Sequence, residues 1–265
     1  MHMTDKSELN ARLPSFRLDG RLALVTGAGA GLGAAIAIGF AEAGAEVVLL
    51  ARTREALEQV RARIARNGGR ASIAVCDVTN SAALRTVIAD LPRLDVLVNN
   101  AGTNFPEPVA EVSDEHLQVM LDLNVRSVYV ASQAAVRKMR EDLQRKQHGG
   151  AILNMSSQMG HIGSPNRTVY CMTKHAVEGL TKALAVELAP ENIRVNSIAP
   201  TFVDTPLARR VVDTPEKKHF VLSRIPMGML ANVEDVMAAA LYLASPSASM
   251  VTGTSLVVDG GWTAQ

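Results

Sequence analysis

The chain has 265 residues, of which 48% are hydrophobic and 20% charged, and its formal net charge is +1 at pH 7. This composition is typical of a soluble globular protein with a sizeable core. A nearly balanced charge gives no electrostatic reason to expect nucleic acid or an anionic membrane as a partner. The two cysteines, Cys76 and Cys171, lie in apolar stretches and are too few for a disulfide framework or a metal cluster. We therefore expect buried thiols and no metal site.

The N-terminal residues are polar and mixed in charge, and they do not resemble a secretory signal. No apolar run approaches the roughly 20 residues that a membrane span requires, so we expect a cytoplasmic protein. Residues 1–19 predict a loose extension that ends at the turn signal Asp19-Gly20. Residues 20–265 predict a single domain, because they contain no internal repeat and no interdomain linker.

From residue 20 onward, short apolar strands alternate with helical segments. The strands are predicted within RLALVTG, AEVVLLA, ASIAVCD, LDVLVNNAG, GAILNMSS, NIRVNSIAP and SLVVDGG. The helices are predicted within LGAAIAIGFAEAG and TREALEQVRARIARNGG, and then at 80–90, 113–122, 125–146, 169–189 and 233–244. Unbroken apolar strands that alternate with helices are typical of parallel strands covered on both faces. The sequence therefore predicts an α/β fold, a doubly wound parallel sheet of the Rossmann type with helices on both faces.

A glycine-rich turn, TGAGAGLG at residues 26–33, connects the first predicted strand to the first predicted helix. Glycines in this context allow a tight turn and let the backbone approach a pyrophosphate at the positive helix N-terminus. The alternative is that they only permit close helix–strand packing. The turn predicts a dinucleotide site with contacts from Gly27, Gly29, Ala30, Gly31, Leu32 and Gly33.

The end of the second strand indicates which dinucleotide binds. NAD enzymes usually carry Asp or Glu here, on the ribose 2′-hydroxyl. In VVLLARTRE, Ala51 stands near the acidic position and Arg52 follows. A guanidinium pairs well with a 2′-phosphate, and Thr53 offers a further contact. We expect NADP(H) as the preferred cofactor and NAD as the alternative, in which case Arg52 is only a solvated charge at a helix start.

Tyr170 and Lys174 are four residues apart, so they share one face of the predicted helix 169–189. Reducing a ketone by hydride leaves charge on the carbonyl oxygen, which must receive a proton. A tyrosine hydroxyl has a pKa near 10, and an ammonium within about 4–6 Å lowers such a pKa. The pair therefore predicts a general acid/base tyrosine assisted by a lysine. The alternative is a half-buried tyrosine without a chemical role.

Five motifs, taken together and in this order, resemble the short-chain dehydrogenase/reductase family. They are TGAGAGLG (26–33), NNAG (99–102), Asn124 in LDLNV, Ser157 in ILNMSS, and YCMTK (170–174). The resemblance extends over residues 20–265 and includes CDVT, RVNSIAP and VTGTSLVVDGGW. Ser157 lies 13 residues before Tyr170, which matches many family members. One departure is Thr201 after Pro200, where many members have glycine; it would change the edge of the substrate pocket.

The resemblance implies an NAD(P)-dependent oxidoreductase that interconverts a ketone and a secondary alcohol. In that scheme Tyr170 is the general acid/base, Lys174 binds the nicotinamide ribose, and Ser157 orients the carbonyl. Ser156 is the rival serine, and Asn124 would anchor a water in a proton relay to Lys174. The further cofactor contacts implied, besides Tyr170 and Lys174, are Asp77, Val78, Asn99, Ala101, Gly102, Pro200, Val203 and Thr205.

The substrate is less clearly indicated. Residues 200–230 are expected to form a lid over the nicotinamide, since long loops at strand ends carry specificity. The lid has five basic residues that either attract an acidic substrate or are solvated surface charges: Arg209, Arg210, Lys217, Lys218 and Arg224. His161, Asn166 and Arg167 lie between Ser157 and Tyr170 and are candidates for substrate contact.

We expect first a 3-oxoacyl-thioester reductase of the carrier-protein type, because Arg137, Lys138 and Arg140 could dock an acidic carrier. The alternatives are a sugar, sugar-acid or polyol dehydrogenase and, third, a non-catalytic dinucleotide-sensing protein. The expected partner is a small-molecule or thioester substrate, with neither nucleic acid nor membrane. The resemblance also implies a homotetramer, or a homodimer, with helix 169–189 and the C-terminal strand at interfaces.

Overall fold

The computed structural model describes residues 14–143, 145–205 and 214–265. Seven parallel strands form one sheet in the order β3-β2-β1-β4-β5-β6-β7. The strands are β1 (Leu22–Thr26), β2 (Glu46–Ala51), β3 (Arg70–Val75), β4 (Val96–Asn99), β5 (Gly150–Met155), β6 (Ile193–Pro200) and β7 (Ser255–Val258). The predicted doubly wound sheet is confirmed. The strand order reverses between β1 and β4, and such switch points are where open α/β sheets bind ligands.

Helices cover both faces of the sheet. They are α1 (Gly31–Glu42), α2 (Arg54–Arg66), α3 (Ser81–Ala89), α4 (Asp114–Leu121), α5 (Ser127–Arg140), α6 (Arg145–His148), α7 (Thr168–Leu188), α8 (Pro215–Leu222) and α9 (Val233–Ala244). Alternate residues of β1 supply two separate cores, Ala23 and Val25 on one face and Leu22 and Leu24 on the other. Helices α1, α2 and α9 pack on the first face, and α3, α5 and α7 on the second.

The prediction of one helix over 125–146 is wrong. Helix α5 ends at Arg140 and a separate short helix, α6, follows it. Beyond Met139 this stretch has no apolar residue that packs on the sheet, and Leu143 is almost fully exposed. Without a buried face, a helix gains little from continuing. At its other end, α5 joins α4 directly through a π-helical turn, Asp122–Arg126, which contains Asn124.

Packing against the sheet starts before the predicted boundary at residue 20. Leu18, which the sequence assigns to the extension, is buried in the first core, and its N–H donates to the carbonyl of Ala43 at 2.8 Å. The ring of Phe16 lies 6.3 Å from that of Tyr242. Residues 1–13 of the predicted extension lie outside the described part of the chain.

Cys76 is buried and Cys171 is half-buried, and burial raises the pKa of both thiols. Thiols in such surroundings are unreactive. Over the described ranges, no group of three or more His, Cys, Asp and Glu side chains is arranged to hold a metal ion. No helix in those ranges combines the length and the apolar character needed to cross a membrane.

Candidate active site

A cleft of about 570 Å³ opens where the carboxyl ends of β1, β4, β5 and β6 meet. The loops after these strands form its walls, together with the first turns of α1 and α7. Most of the predicted site residues line this cleft: Gly27, Ala30, Gly31, Leu32, Ala101, Gly102, Ser157, Tyr170, Lys174, Pro200, Val203 and Thr205. Residues separated by up to 178 positions are thus brought to the switch point of the sheet.

The N-terminus of α1 opens into the cleft without a side-chain cap. Ala30 is the N-cap residue and makes no capping hydrogen bond, and the first turn contains no acidic side chain. The N–H groups of that turn are therefore available to an anion, which the helix dipole also favours. Gly27 and Gly31 have φ values of 66° and 55°, in the left-handed region that favours glycine. This end of the cleft fits a dinucleotide pyrophosphate.

Gly29 and Gly33 do not line the cleft. A Cβ atom on Gly33 would lie 2.3 Å from the carbonyl oxygen of Gly27, and one on Gly29 would lie 3.2 Å from the Cβ of Ala56. Close packing thus explains these two glycines, whereas Gly27 and Gly31 lie at the cleft surface.

Arg52 and Asp77 follow neighbouring strands, β2 and β3, and face each other. The Arg52 guanidinium is largely exposed, with Nη1 4.0 Å from Asp77 Oδ2. Asp77 Oδ1 accepts hydrogen bonds from the N–H and hydroxyl of Thr79, and these bonds lower the pKa of the carboxyl. Thr53 is the N-cap residue of α2. The exposed guanidinium of Arg52 thus lies at the end of β2, and its binding of a 2′-phosphate stays a prediction.

Two predicted cofactor residues have buried side chains. Asn99 donates to Ser132 Oγ and Asn154 Oδ1 beneath the cleft floor, at 3.0 and 2.9 Å. Val78 packs in the second core. The next residue, Asn100, lines the cleft, and its amide donates to the carbonyls of Thr26 and Gly27 in the glycine turn, at 3.0 and 3.4 Å. Neither Asn99 nor Val78 lines the cleft, so their contacts with a cofactor stay a prediction.

Ser157, Tyr170 and Lys174 come together on one wall of the cleft. Ser157 follows β5; its Oγ accepts from the N–H of Met159 at 3.1 Å, and its hydroxyl acts to lower the pKa of Tyr170. Lys174 Nζ lies 5.5 Å from the centroid of the Tyr170 ring and donates to the carbonyl of Met155 at 2.8 Å. The rival serine, Ser156, also lines the cleft. The effect of Ser157 on the pKa of Tyr170 favours Ser157 over Ser156.

Burial governs the ionisation of this cluster. It raises the pKa of Tyr170, while the hydroxyl of Ser157 and the charge of Arg167 act in the opposite direction. Burial also lowers the pKa of Lys174 to about 8, and the nearby carboxylate of Glu178 partly offsets that effect. In the chain alone, desolvation of the phenolate outweighs the nearby charges. The lowering of the Tyr170 pKa by Lys174 together with the positive charge of the oxidised nicotinamide stays a prediction.

Asn124 is buried beside the cluster and does not line the cleft. Its amide oxygen accepts from the N–H of Thr103 and its amide nitrogen donates to the carbonyl of Thr103, both at 2.8 Å. It also donates to the Thr173 hydroxyl on α7 at 3.2 Å. Asn124 therefore holds the loop after β4 against α7, and its role in a water relay stays a prediction.

Four polar residues of the cleft wall were not predicted: Asn100, Thr103, Asn104 and Gln158. Each lies within a few residues of a strand's carboxyl end, which is the one sequence signal that could have identified them. Thr201 and Arg167, which the sequence placed at the substrate pocket, also line the cleft.

The basic residues proposed for an acidic partner do not converge on the cleft. Lys217, Lys218 and Arg224 are exposed and do not line it, while Arg209 and Arg210 lie outside the described residues. Lys138 pairs with Glu141 at 2.7 Å, and Arg140 forms a double hydrogen bond with Glu191. His161 faces Ser255, 2.9 Å away, rather than the cleft.

A short hydrophobic cluster forms the outer edge of the cleft. Phe202 stacks near Trp262, with ring centroids 6.0 Å apart, and Val221 of α8 and Ile225 pack against the same tryptophan. Phe202 also lines the cleft. The described part of the predicted lid, residues 200–205 and 214–230, is thus anchored to the C-terminal residues.

An uncapped helix end beside a glycine turn, and a serine–tyrosine–lysine cluster at the switch point, define a dinucleotide-dependent oxidoreductase of the Rossmann class.

Comparisons with known proteins support this class of enzyme. A family model described as enoyl-(acyl carrier protein) reductase matches residues 27–263. The chain is 40% identical over 252 residues to cyclopentanol dehydrogenase of Comamonas sp., covering 94% of this chain and 99% of the relative. It is 40% identical over 248 residues to L-xylulose reductase of Bos taurus, covering 94% and 98%. A solved gluconate 5-dehydrogenase from Burkholderia cenocepacia, in complex with NADP and tartrate, superposes with a TM-score of 0.89 at 34% identity, covering 95% and 98%. The chain belongs to the short-chain dehydrogenase/reductase family.

Proposed function

We propose that the protein is an NAD(P)-dependent oxidoreductase that interconverts a secondary alcohol and a ketone on a small, hydroxyl-rich substrate. One observation carries this proposal. Residues that line the cleft carry buried polar atoms with no hydrogen-bond partner among the described residues: Asn104 Oδ1, Ser156 Oγ, Gln158 Oε1, Gln158 Nε2 and Thr201 Oγ1. Buried polar groups are normally paired in proteins, so these atoms suit the hydroxyl groups of a substrate.

A 3-oxoacyl thioester suits this wall less well. Its acyl chain would leave the amide of Gln158 unpaired, and an unpaired buried polar group costs on the order of 1–3 kcal/mol. The basic residues Lys138 and Arg140 are already engaged in local ion pairs. The relatives named above act, by their names, on a cyclic alcohol, a sugar and a sugar acid, which supports the sugar or polyol alternative over our first expectation. The thioester remains the second candidate, because the matching family model is described as an enoyl-(acyl carrier protein) reductase, whose substrate is also an acyl thioester.

Each residue of the cluster has a distinct role in this proposal. Ser157 donates a hydrogen bond to the substrate oxygen and stabilises its developing charge. Tyr170 gives its proton to that oxygen in reduction and removes it in oxidation. Lys174, when protonated, stabilises the phenolate and holds the cofactor ribose. Asn124 is a positioning residue, because it fixes the loop after β4.

The cofactor, when bound, supplies or accepts the hydride. The residues that would hold its pyrophosphate are Gly27, Gly31 and Leu32, at the open end of α1. Arg52 would pair with a 2′-phosphate, which supports NADP(H) as the preferred form, with NAD as the alternative. Val203 and Thr205, after β6, would face the nicotinamide end.

A substrate panel tests the proposal. We would follow absorbance at 340 nm with NADP⁺ and NAD⁺, using cyclopentanol, threitol, xylitol and sorbitol, and with NADPH, using L-xylulose and 3-oxobutanoyl-CoA. We expect kcat/KM to be highest for a hydroxyl-rich substrate. A preference for the thioester would overturn the substrate assignment, and no turnover of any secondary alcohol or ketone would overturn the proposal itself.

A further inference from the structure

Arg167 is a buried cation on the substrate side of the cleft with no counter-charge in contact. Its side chain lines the cleft, the residue is only 8% exposed, and Nη1 has no hydrogen-bond partner among the described residues. Burial lowers the pKa of the guanidinium. A buried charge without a partner is costly to a folded protein, so a site of this kind suits a bound anion.

The surroundings of Arg167 favour a negative group. Of the described residues that line the cleft, none is aspartate or glutamate. The other cation there, Lys174, is hydrogen-bonded to Met155 and belongs to the catalytic cluster. Arg167 is also the N-cap residue of the 21-residue helix α7, which has no acidic side chain in its first turn. The positive end of that helix dipole adds to the charge of the guanidinium.

The position of Arg167 relative to the reacting groups defines where the anion would lie. Arg167 precedes Tyr170 by three residues, one helical turn, and its charge acts on the Tyr170 hydroxyl. Gln158, with an unpartnered amide, lies on the same wall next to Ser157. A substrate whose carbonyl faces Tyr170 and Ser157 would therefore have its anionic group within a few atoms of that carbonyl, with hydroxyl groups against Gln158.

We propose that Arg167 binds a substrate carboxylate, so that the natural substrate is a polyhydroxylated acid rather than a neutral polyol. The inference rests on the proposed function and names its substrate class. A guanidinium matches the two oxygens of a carboxylate. A phosphate ester carries up to two charges, and the described cleft wall offers no second free cation on this side, since Lys174 serves the catalytic cluster.

Matched acid and alditol pairs test the assignment. Threonate and threitol, xylonate and xylitol, and gluconate and sorbitol differ only in whether the chain ends in a carboxylate or a hydroxymethyl group. For the wild type we expect the acid of the best pair to exceed its alditol in kcat/KM. In Arg167→Gln we expect the acid-to-alditol ratio to fall by about 10- to 100-fold, the range for a hydrogen-bonded charge, with most of the loss in KM. Arg167→Lys should retain part of the ratio.

The acid-to-alditol ratio of kcat/KM isolates the contact between Arg167 and the carboxylate. The loss of a positive charge beside Tyr170 affects both members of a pair and therefore cancels in the ratio. Arg61→Gln is the matched control, since Arg61 is exposed on α2 and pairs with Glu58 away from the cleft. It should leave the ratio unchanged. Thermal melting and NADPH fluorescence establish that each variant is folded and binds cofactor.

Three results would overturn the assignment: no acid preference in the wild type, an equal fold-loss for acid and alditol in Arg167→Gln, or a higher kcat/KM for sorbitol 6-phosphate than for gluconate. Failure of the proposed function is distinguishable from these results. If no alcohol is oxidised at all, calorimetric binding of gluconate to the NADP complex of wild type and Arg167→Gln still tests the anion site. Equal binding by the two proteins would reject it.

Discussion

Tyr170 and Lys174 share a face of α7, but burial acts on them in opposite directions. It raises the pKa of the phenol and lowers that of the ammonium to about 8. Desolvation penalises the charged form of each group, so burial shifts both groups towards their neutral forms. With a pKa of about 8, Lys174 is still mostly protonated at pH 7 and loses its charge as the pH rises through that value.

Tyr170→Phe should lower kcat/KM by at least about 10²-fold, in line with the usual contribution of a general acid or base. The phenyl ring preserves packing against the cleft wall, so the dissociation constant for NADPH should stay within a few-fold of wild type. Steady-state kinetics and fluorescence titration measure the two quantities. Near-normal turnover would contradict the role assigned to Tyr170.

Glu178→Gln should move the alkaline limb of the pH profile of kcat/KM to lower pH. The Glu178 carboxylate, held by Ser197 and Ser255, raises the pKa of Lys174 against the effect of burial. Lys174 is mostly protonated below a pKa of about 8 and loses its charge above it. Removing the carboxylate lowers that pKa further, so the ammonium is lost at lower pH.

Glu187→Gln provides the control for this shift. Glu187 is exposed on the same helix, so its neutralisation should leave the profile in place. If both variants shift equally, or neither shifts, then Glu178 does not set the ionisation of Lys174.

Arg52→Ala should weaken NADPH binding by about 10-fold or more and NADH binding by less than about 3-fold, because a hydrogen-bonded charge pair contributes roughly 1.5–3 kcal/mol. Arg52 stands next to Asp77, whose carboxylate would oppose a 2′-phosphate if the guanidinium were removed. Dissociation constants for both nucleotides check the prediction. Equal losses of affinity for NADPH and NADH would show that Arg52 does not bind the 2′-phosphate.

At the scale of elements, the strands were predictable and the helix ends were not. Six of the seven strands lie within their predicted segments, and β3 starts one residue earlier, at Arg70. The π-helical turn at Asp122–Arg126 depends on contacts with other elements, such as the bond between Asn124 and Thr103, and no local pattern in the sequence records those contacts. The break after Arg140, by contrast, coincides with a stretch that has no apolar residue packed on the sheet.

Gly33→Ala tests the close packing between the first turn of α1 and the glycine turn. Its Cβ would lie 2.3 Å from the Gly27 oxygen and 2.5 Å from Asn100 Nδ2, so the turn must shift. Such overpacking costs about 1–3 kcal/mol, and we expect a lower melting temperature together with NADPH binding weakened at least about 10-fold. Gly163→Ala is the control, because nothing lies within 4 Å of its Cβ position. Normal NADPH affinity in Gly33→Ala would contradict the packing explanation.

At the scale of the whole molecule, the ordered motifs predicted where the active site lies. They did not predict all the residues that line its cleft. The catalytic cluster and the glycine turn followed from residue types and spacing. Residue types and spacing did not indicate which residues line the cleft, because that depends on how the chain leaves each strand. Asn99 is buried, whereas Asn100, the next residue, lines the cleft. The unpartnered state of Gln158 and Arg167 is likewise visible only in three dimensions.

The outer face of α7 carries a stripe of exposed apolar and small residues, which is unfavourable for a monomer in water. Spaced alternately by four and three residues, the exposed members of the stripe are apolar or small: Met172, Ala176, Gly179, Ala183 and Val186. Such spacing places them on one helical face, and contiguous exposed apolar surface indicates an interface. We expect a homotetramer by light scattering, with this stripe pairing two copies.

Val186→Glu places a charge in that stripe, at a residue that is 80% exposed. We expect the assembly to dissociate to a smaller species, because burying an unpaired carboxylate in an interface is unfavourable. Val109→Glu is the matched control: Val109 is 72% exposed but lies outside α7, so its substitution should leave the mass unchanged. A monomeric wild type, or an unchanged mass for Val186→Glu, would show that the stripe is not an interface. In either case the apolar face of α7 would require a different partner.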